Sequence, residues 1–183
     1  MQKIINVLAV LSFLGTASII GGGYYLYTQK DPIIENAVFP GKVHSILFSR
    51  TGGGMFYGPH LDTPHVPSGR RDLSFTLFLN EKTDYKGGEL ILYIPPEKKT
   101  IKLNPGEMVM YPTKYFHEVT EVTEGERLVC VWWIESLIPN NEDRESLSIF
   151  KSAMSALQRQ HGVSPAIQSL NVSYNSIFKR LMN

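Results

Sequence analysis

The stretch YGPHLDTPH, residues 57–65, places a histidine and an aspartate two positions apart. If this stretch ends a β-strand, the side chains of His60 and Asp62 project from the same face, because side chains alternate along a strand. An imidazole nitrogen and a carboxylate oxygen can then converge on one metal ion. A His-x-Asp motif is common by chance, so two polar side chains on a surface loop are the competing interpretation.

A third ligand is expected from a strand far along the chain, and His117 follows the predicted strand from Met108 to Tyr111. Two histidines and one carboxylate on one face of an iron leave three coordination positions open, as in non-haem Fe(II) oxygenases. A 2-oxo acid can fill two of these positions and dioxygen the third. A closed zinc site would need four ligands, usually with cysteines, and Cys130 is the single cysteine of the chain.

Arg127 opens an otherwise apolar run, RLVCVWWI, ten residues after His117. A guanidinium that points into a barrel is costly unless it meets an anion, so Arg127 predicts a carboxylate-bearing ligand. Within the same run, Cys130 is interpreted as a buried strand residue rather than a nucleophile. Trp132 and Trp133 point to opposite faces of a strand, so one is expected in the core and the other beside the pocket or beneath a helix.

Three further polar residues remain open to two interpretations. His65 is an alternative metal ligand, but it lies beyond Pro64, where the strand register is lost. Arg70 and Arg71 precede a predicted strand near the expected mouth of the barrel. They either contact an acidic substrate or co-substrate, or they are exposed loop charges.

The elements that must hold these residues are mostly strands. From residue 42 onward, about eight short apolar runs separated by turn signals indicate an all-β barrel or sandwich. Residues 74–79 and 128–134 are apolar nearly throughout and should be central strands, whereas residues 98–103 alternate and should be half exposed. After Pro139 the apolar spacing becomes helical, which predicts two helices packed on the outside of the sheet.

The N-terminal segment differs in composition. Residues 4–27 contain no charged side chain, and they are long enough to cross a hydrocarbon core as a helix of roughly 20 residues. We therefore predict an N-terminal transmembrane helix, with a cleaved signal peptide and a buried core helix as the alternatives. The predicted organisation is an anchor at 1–30, a linker at 31–41, an all-β core at 42–139 and C-terminal helices at 140–183.

Bulk properties limit the remaining possibilities. A chain of 183 residues with 43% hydrophobic residues is long enough for one domain with a sizeable core. Its formal net charge of +1 provides no field that would attract nucleic acid, so no nucleic-acid partner is expected.

Several of these motifs occur together in one family and in one order. The segments FSRTGGGMFYGPHLD, GRRDLSFTLFLNE, DYKGGELIL and LNPGEMVMYPTKYFHEVTEVTEGERLVCVWWIES resemble the PKHD-type hydroxylases. These are prolyl-4-hydroxylase-like dioxygenases that depend on Fe(II) and 2-oxoglutarate. The resemblance extends from about residue 42 to the C-terminus, and it implies a double-stranded β-helix, or jelly roll, with the metal in its mouth.

The resemblance also implies roles for individual residues. His60, Asp62 and His117 would bind Fe(II), Arg127 would pair with the 5-carboxylate of 2-oxoglutarate, and Tyr57 would lie near that co-substrate. Ascorbate is implied as a reductant that restores the ferrous state of the iron. No side chain beyond the metal centre is expected to act as a catalyst.

These expectations combine into one functional prediction. The chain is predicted to be a single-pass membrane protein, with a dioxygenase domain on the cytosolic side that hydroxylates a peptidyl substrate, a prolyl residue being one candidate. It would use dioxygen and convert 2-oxoglutarate to succinate. Two alternatives remain at this point, a cupin-like metal jelly roll of other chemistry and a catalytically idle, membrane-tethered interaction module.

Overall fold

The computed structural model describes residues 9–12 and 32–182, which form eleven strands and three helices. The strands are β1 (Ala9–Ser12), β2 (Pro40–Gly52), β3 (Met55–His60), β4 (His65–Val66), β5 (Gly69–Arg70), β6 (Leu73–Phe78), β7 (Tyr85–Gly87), β8 (Leu90–Ile94), β9 (Glu97–Ile101), β10 (Glu107–Pro112) and β11 (Phe116–Ser136). The helices are α1 (Pro32–Val38), α2 (Asn141–His161) and α3 (Pro165–Leu181).

The long strand β11 belongs to both halves of the fold. Its second half pairs with β2 and β6, and β6 continues through β10 to β1. Its first half pairs with β3 and β8, and β8 pairs in turn with β9. The short strand β7 pairs with the middle of β11. All of these pairs are antiparallel, which gives the predicted jelly-roll-like architecture.

β11 runs through a Glu124-Gly125 pair, a turn signal that would ordinarily end a strand. Gly125 lies inside β11 and has a φ of 72°. A Cβ at this position would lie 2.0 Å from the carbonyl oxygen of Asp84, so only glycine fits without a shift of the backbone. As a result, His117 and Arg127 lie on the same continuous strand.

Hydrophobicity decides which strands are central. β6 (LSFTLF) is almost wholly buried and lies between β10 and β11, whereas β9 (EKKTI) is exposed except for Ile101 and lies at an edge. The predicted central and half-exposed strands are thus confirmed. Cys130 is buried in the core beside Trp132, as its apolar surroundings predicted.

The two predicted C-terminal helices are confirmed, and their ends follow from capping. The side chain of Asn140 accepts a hydrogen bond from the backbone N–H of Asp143, and the side chain of Ser164 accepts one from Ile167. The two helices form a separate apolar cluster with residues that follow α1 and β11 in the chain, built from Phe39, Ile138, Leu147, Met154 and Tyr174.

The predicted N-terminal transmembrane helix is wrong. Within residues 9–12 and 32–182, no helix is long and apolar enough to cross a membrane. Residues 9–12, which lie inside the predicted span, form the strand β1 and pair with β10 from Ala9–Met110 to Ser12–Glu107. The predicted single-pass location with a cytosolic domain depended on that helix and is corrected with it. The rest of the predicted span, residues 4–8 and 13–27, lies outside the described residues.

Candidate metal centre

Strand pairing brings the two histidines together. His117 on β11 is the direct partner of His60 on β3, and their ring centroids are 4.2 Å apart. Asp62 follows β3 by two residues, and its Oδ1 lies 4.0 Å from Nε2 of His60 and 3.8 Å from Nε2 of His117. One ligand atom from each residue falls within 4.8 Å of the others, so the three side chains converge on one point.

Backbone hydrogen bonds fix the orientation of both imidazoles. Nδ1 of His60 lies 2.8 Å from the carbonyl oxygen of Gly58, and Nδ1 of His117 lies 3.0 Å from that of Tyr115. A carbonyl oxygen only accepts, so each Nδ1 carries the proton and donates it. In the neutral rings, Nε2 is then the free lone pair, and both Nε2 atoms face Asp62.

The carboxylate of Asp62 is oriented by a tryptophan. The indole Nε1 of Trp133 donates a hydrogen bond of 2.9 Å to Oδ2, the oxygen that does not face the histidines. Oδ1 is thereby left to point toward the two Nε2 atoms. The guanidinium of Arg71 stacks on the Trp133 ring at 3.9 Å from its centroid and holds the indole from the other side.

Burial favours the form of His117 that can bind a metal. The side chain is 6% exposed, and this burial lowers the pKa of its imidazole below the usual value, although the hydrogen bond to Tyr115 and the charge of Asp62 act in the opposite direction. A neutral imidazole is the form that coordinates a metal.

A second polar feature of the interior is Arg127. It is 3% exposed, its guanidinium lies 5.4 Å above the ring centroid of Phe78, and no carboxylate among the described residues forms an ion pair with it. Burial lowers the pKa of Arg127, but a guanidinium is so strong a base that the side chain stays positively charged. A buried cation without a protein counter-ion is the site expected for an anionic ligand.

The remaining sequence candidates take different positions. Tyr57 is 61% exposed, and the edge of its ring contacts the ring of His60 at a centroid distance of 4.2 Å. His65 is exposed on β4 and lies outside the cluster of potential ligands. Arg70 forms ion pairs with Asp72 and Glu135, so it is bound by the protein rather than free for a substrate.

Sequence reasoning missed the groups that orient the ligands. Gly58 and Tyr115, whose carbonyl oxygens accept these bonds, each lie two residues before the histidine that they orient. This shared spacing is visible in the sequence and could have indicated the two hydrogen bonds. Trp133 lies six residues after Arg127, so the alternation of β11 places both on the same face. That parity selects Trp133 rather than Trp132, which stacks on Phe75 in the core.

The donor set suits a small divalent ion with exchangeable positions. Two ligand atoms that each lie about 2.1 Å from one ion are at most about 4.2 Å apart, and both separations between Asp62 and a histidine fall below that limit. Within the described residues these three side chains form the single cluster of this kind, so a bound ion keeps coordination positions for other ligands. Fold and site together define a jelly-roll protein with a candidate metal centre and a buried cation that suits an anionic ligand.

Comparisons with known proteins support this class of protein and identify the family. The family model described as the 2OG-Fe(II) oxygenase superfamily matches residues 46–135. A PKHD-type hydroxylase from Prochlorococcus marinus strain NATL2A is 42% identical over 152 residues, which cover 83% of this chain and 69% of the relative. A second one, from strain MIT 9301, is 42% identical over 157 residues and covers 84% and 71%.

Solved structures support the same fold. A prolyl-4-hydroxylase from Pseudomonas putida aligns with a TM-score of 0.53 at 23% identity, covering 67% of this chain and 69% of that one. A prolyl hydroxylase from Trichoplax adhaerens, solved with a peptide fragment of the hypoxia inducible factor oxygen degradation domain, aligns with a TM-score of 0.51 at 18% identity, covering 81% and 69%.

The chain belongs to the PKHD-type hydroxylases of the 2-oxoglutarate- and Fe(II)-dependent dioxygenases. It is therefore an oxidoreductase that uses Fe(II) and 2-oxoglutarate.

Proposed function

We propose that this dioxygenase hydroxylates a peptidyl substrate, and that a prolyl residue is the first target to test. The observation that carries the proposal is the convergence of His60, Asp62 and His117, together with the buried cation of Arg127, which has no ion-pair partner among the described residues. These two features match the two ends of 2-oxoglutarate, a metal-chelating 2-oxo acid group and a distal carboxylate.

The three ligands would hold Fe(II) through Nε2 of His60, Nε2 of His117 and Oδ1 of Asp62. Bound iron supplies the oxygen chemistry that couples decarboxylation of 2-oxoglutarate to succinate with hydroxylation of the substrate. The protein contributes fixed geometry, because Gly58, Tyr115 and Trp133 hold the ligands in place before the ion arrives.

Arg127 would bind the 5-carboxylate of 2-oxoglutarate. The pairing of a buried guanidinium with a carboxylate is a charge-assisted contact, and it removes the cost of leaving the cation unpaired. Tyr57 would lie beside the metal-bound end of the co-substrate, since its ring already contacts the ring of His60. Ascorbate would serve as an external reductant that keeps the iron ferrous.

A peptide is favoured as the substrate because exposed apolar side chains lie close in sequence to the candidate ligands. Phe56 and Tyr57 precede His60 by four and three residues, and Leu61 and Phe116 are direct chain neighbours of ligands; these four side chains are exposed by 67%, 61%, 52% and 45% respectively. Exposed apolar groups beside a site are typical of a surface that binds a chain molecule rather than a small polar metabolite. The similarly folded prolyl hydroxylase from Trichoplax adhaerens is solved with a peptide fragment.

The test is 2-oxoglutarate turnover by the full chain with Fe(II) and ascorbate, measured as succinate formed with and without a library of proline-containing peptides. We expect iron-dependent succinate formation that increases with a subset of peptides, together with a mass increase of one oxygen atom in those peptides. Peptides that neither stimulate turnover nor gain oxygen would overturn the proposed substrate class.

The matched controls separate the metal site from the rest of the fold. His117→Ala removes a ligand and should lower turnover by more than about 100-fold, since loss of a ligand exceeds the effect of loosening one. His65→Ala removes an exposed histidine five residues from His60 and should leave turnover unchanged. Equal activity of the two variants would contradict the proposed ligand set.

A further inference from the structure

The mechanism proposed above gives no role to the buried hydroxyl of Tyr85. Tyr85, at the start of β7, is 3% exposed, and its hydroxyl has no hydrogen-bond partner among the described residues. A buried hydroxyl normally finds a partner, because it loses its hydrogen bonds to water on folding. The backbone and ring of Tyr85 are held firmly, since Nζ of Lys102 donates to its carbonyl oxygen at 2.8 Å and lies 4.0 Å from its ring centroid.

Tyr85 lies next to Arg127. A Cβ built on Gly88 would be 3.0 Å from Cε2 of Tyr85 and 3.1 Å from Cδ of Arg127, so both side chains flank the same glycine. The Nε of Arg127 is also buried without a hydrogen-bond partner. The two unpartnered donors are therefore neighbours in the interior.

The chemistry of this pair selects its ligand. A guanidinium only donates hydrogen bonds, whereas a tyrosine hydroxyl can donate one. Because the guanidinium is positively charged, a negatively charged acceptor that both groups share is favoured at this position. A carboxylate provides two oxygens with several lone pairs and a compensating charge. The glycine between the two side chains leaves the space that a larger residue would occupy.

We propose that the hydroxyl of Tyr85 donates a hydrogen bond to the distal carboxylate of 2-oxoglutarate and thereby shares its recognition with Arg127. This inference rests on the proposed role of Arg127 and deepens it, because it makes Tyr85 a specificity residue for 2-oxo acids that carry a second carboxylate. A 2-oxo acid of the same length that ends in a methyl group would gain nothing from Tyr85.

The test compares two ligands on the Mn(II)-loaded full chain under anaerobic conditions. Dissociation constants are measured by calorimetry for 2-oxoglutarate and for 2-oxopentanoate, which has a methyl group in place of the distal carboxylate. Tyr85→Phe keeps the ring and removes the hydroxyl, so we expect affinity for 2-oxoglutarate to fall about 10-fold while affinity for 2-oxopentanoate stays the same.

Tyr174→Phe is the matched control, because Tyr174 is buried to a similar degree but lies in the helical cluster. We expect this variant to bind both acids with the affinities of the unaltered chain. Unchanged 2-oxoglutarate affinity in Tyr85→Phe would overturn the inference, and so would equal losses for both acids. Arg127→Met distinguishes a failure of the role of Tyr85 from a failure of the role of Arg127. If it weakens 2-oxoglutarate and Tyr85→Phe does not, the role of Tyr85 fails alone; if neither variant weakens it, the proposed role of Arg127 fails too.

Discussion

The two ends of the site are built on opposite principles. At the metal end, each candidate ligand has a hydrogen-bond partner that orients it. The partners are the carbonyl oxygens of Gly58 and Tyr115 and the indole N–H of Trp133. At the anion end, Nε of Arg127 and the hydroxyl of Tyr85 are buried without partners among the described residues. On the proposed assignment, the metal end is organised in advance, whereas the anion end would gain its partner when the co-substrate binds.

This difference explains how one fold can serve a resident ion and an exchanging co-substrate. Ligands held in advance raise affinity for an ion that must stay bound, because little ordering remains to be done when it arrives. A buried cation that lacks a counter-ion gains most when the correct anion enters. Changes at the metal end should therefore alter metal affinity, and changes at the anion end should alter co-substrate affinity.

The largest expected effect comes from Arg127→Met. We expect the KM for 2-oxoglutarate to rise about 100-fold or more, since the charged partner of a buried carboxylate is lost. The ligand-free protein should be as stable as before or more stable, because the variant removes an unpaired buried cation and keeps the packing of the stem. Steady-state kinetics and thermal unfolding measure the two effects, and a destabilised ligand-free variant would contradict the comparison.

The next effect is expected from Trp133→Phe. This variant keeps an aromatic ring beside Arg71 but removes the donor to Oδ2 of Asp62, so metal affinity should fall about 10- to 100-fold. Trp132→Phe, one position along the same strand but facing Phe75 in the core, should leave metal affinity unchanged. Titration with Co(II) followed by its visible absorption measures both, and similar affinities in the two variants would count against the orienting role.

Gly88→Ala tests the space at the anion end. Gly88 has a φ of 68°, and a Cβ would lie 2.9 Å from Cγ2 of Val122 as well as close to Tyr85 and Arg127. We expect a loss of about 1–3 kcal/mol in the free energy of unfolding, with weakened 2-oxoglutarate binding.

Gly54→Ala is the control for this substitution, because Gly54 has a φ of 78° but no atom within 4 Å of its Cβ position. It imposes a similar backbone strain without crowding. Chemical denaturation measures the loss of stability in both variants, and calorimetry should show that only Gly88→Ala weakens co-substrate binding. A comparable loss of affinity in both variants would show that crowding at Gly88 is not the cause.

The smallest effect concerns acid stability at Glu89, the residue that follows Gly88. The hydroxyl of Thr120 donates to the carboxylate of Glu89, and this hydrogen bond is the main cause of a pKa of Glu89 below its ordinary value of 4.5. The resulting stabilisation is present above pH 4.5 and is lost as the pH falls through the lowered pKa. Because Glu89 is partly exposed, we expect Glu89→Gln to lower stability by at most about 0.5 kcal/mol at neutral pH, with the difference disappearing in acid. Urea unfolding at neutral and acidic pH measures this difference, and a gap that widens in acid would reverse the assigned sign.

The sequence predicted much of this architecture because its strongest signals are local. Alternation and turn residues identified the strands, and the spacing of His60 and Asp62 indicated a shared face. Tyr85 was not predicted, because its burial depends on the close approach of Gly125 to Asp84 across the fold. The N-terminal prediction failed because an uncharged apolar run is compatible with either a membrane helix or a β-strand, and composition does not distinguish between them. Residues 9–12 of this run form a strand that pairs with β10.

The use of backbone carbonyls to hold both imidazoles has a consequence for how the family can vary. A carbonyl oxygen belongs to every amino acid, so the tautomer of each histidine survives substitution of the residue two positions before it. A Cβ at Gly58 would meet no atom within 4 Å, which leaves that position free to drift. Substitutions at residues 58 and 115 can therefore change the side chains around the candidate metal centre without removing the carbonyl oxygens that orient the two imidazoles.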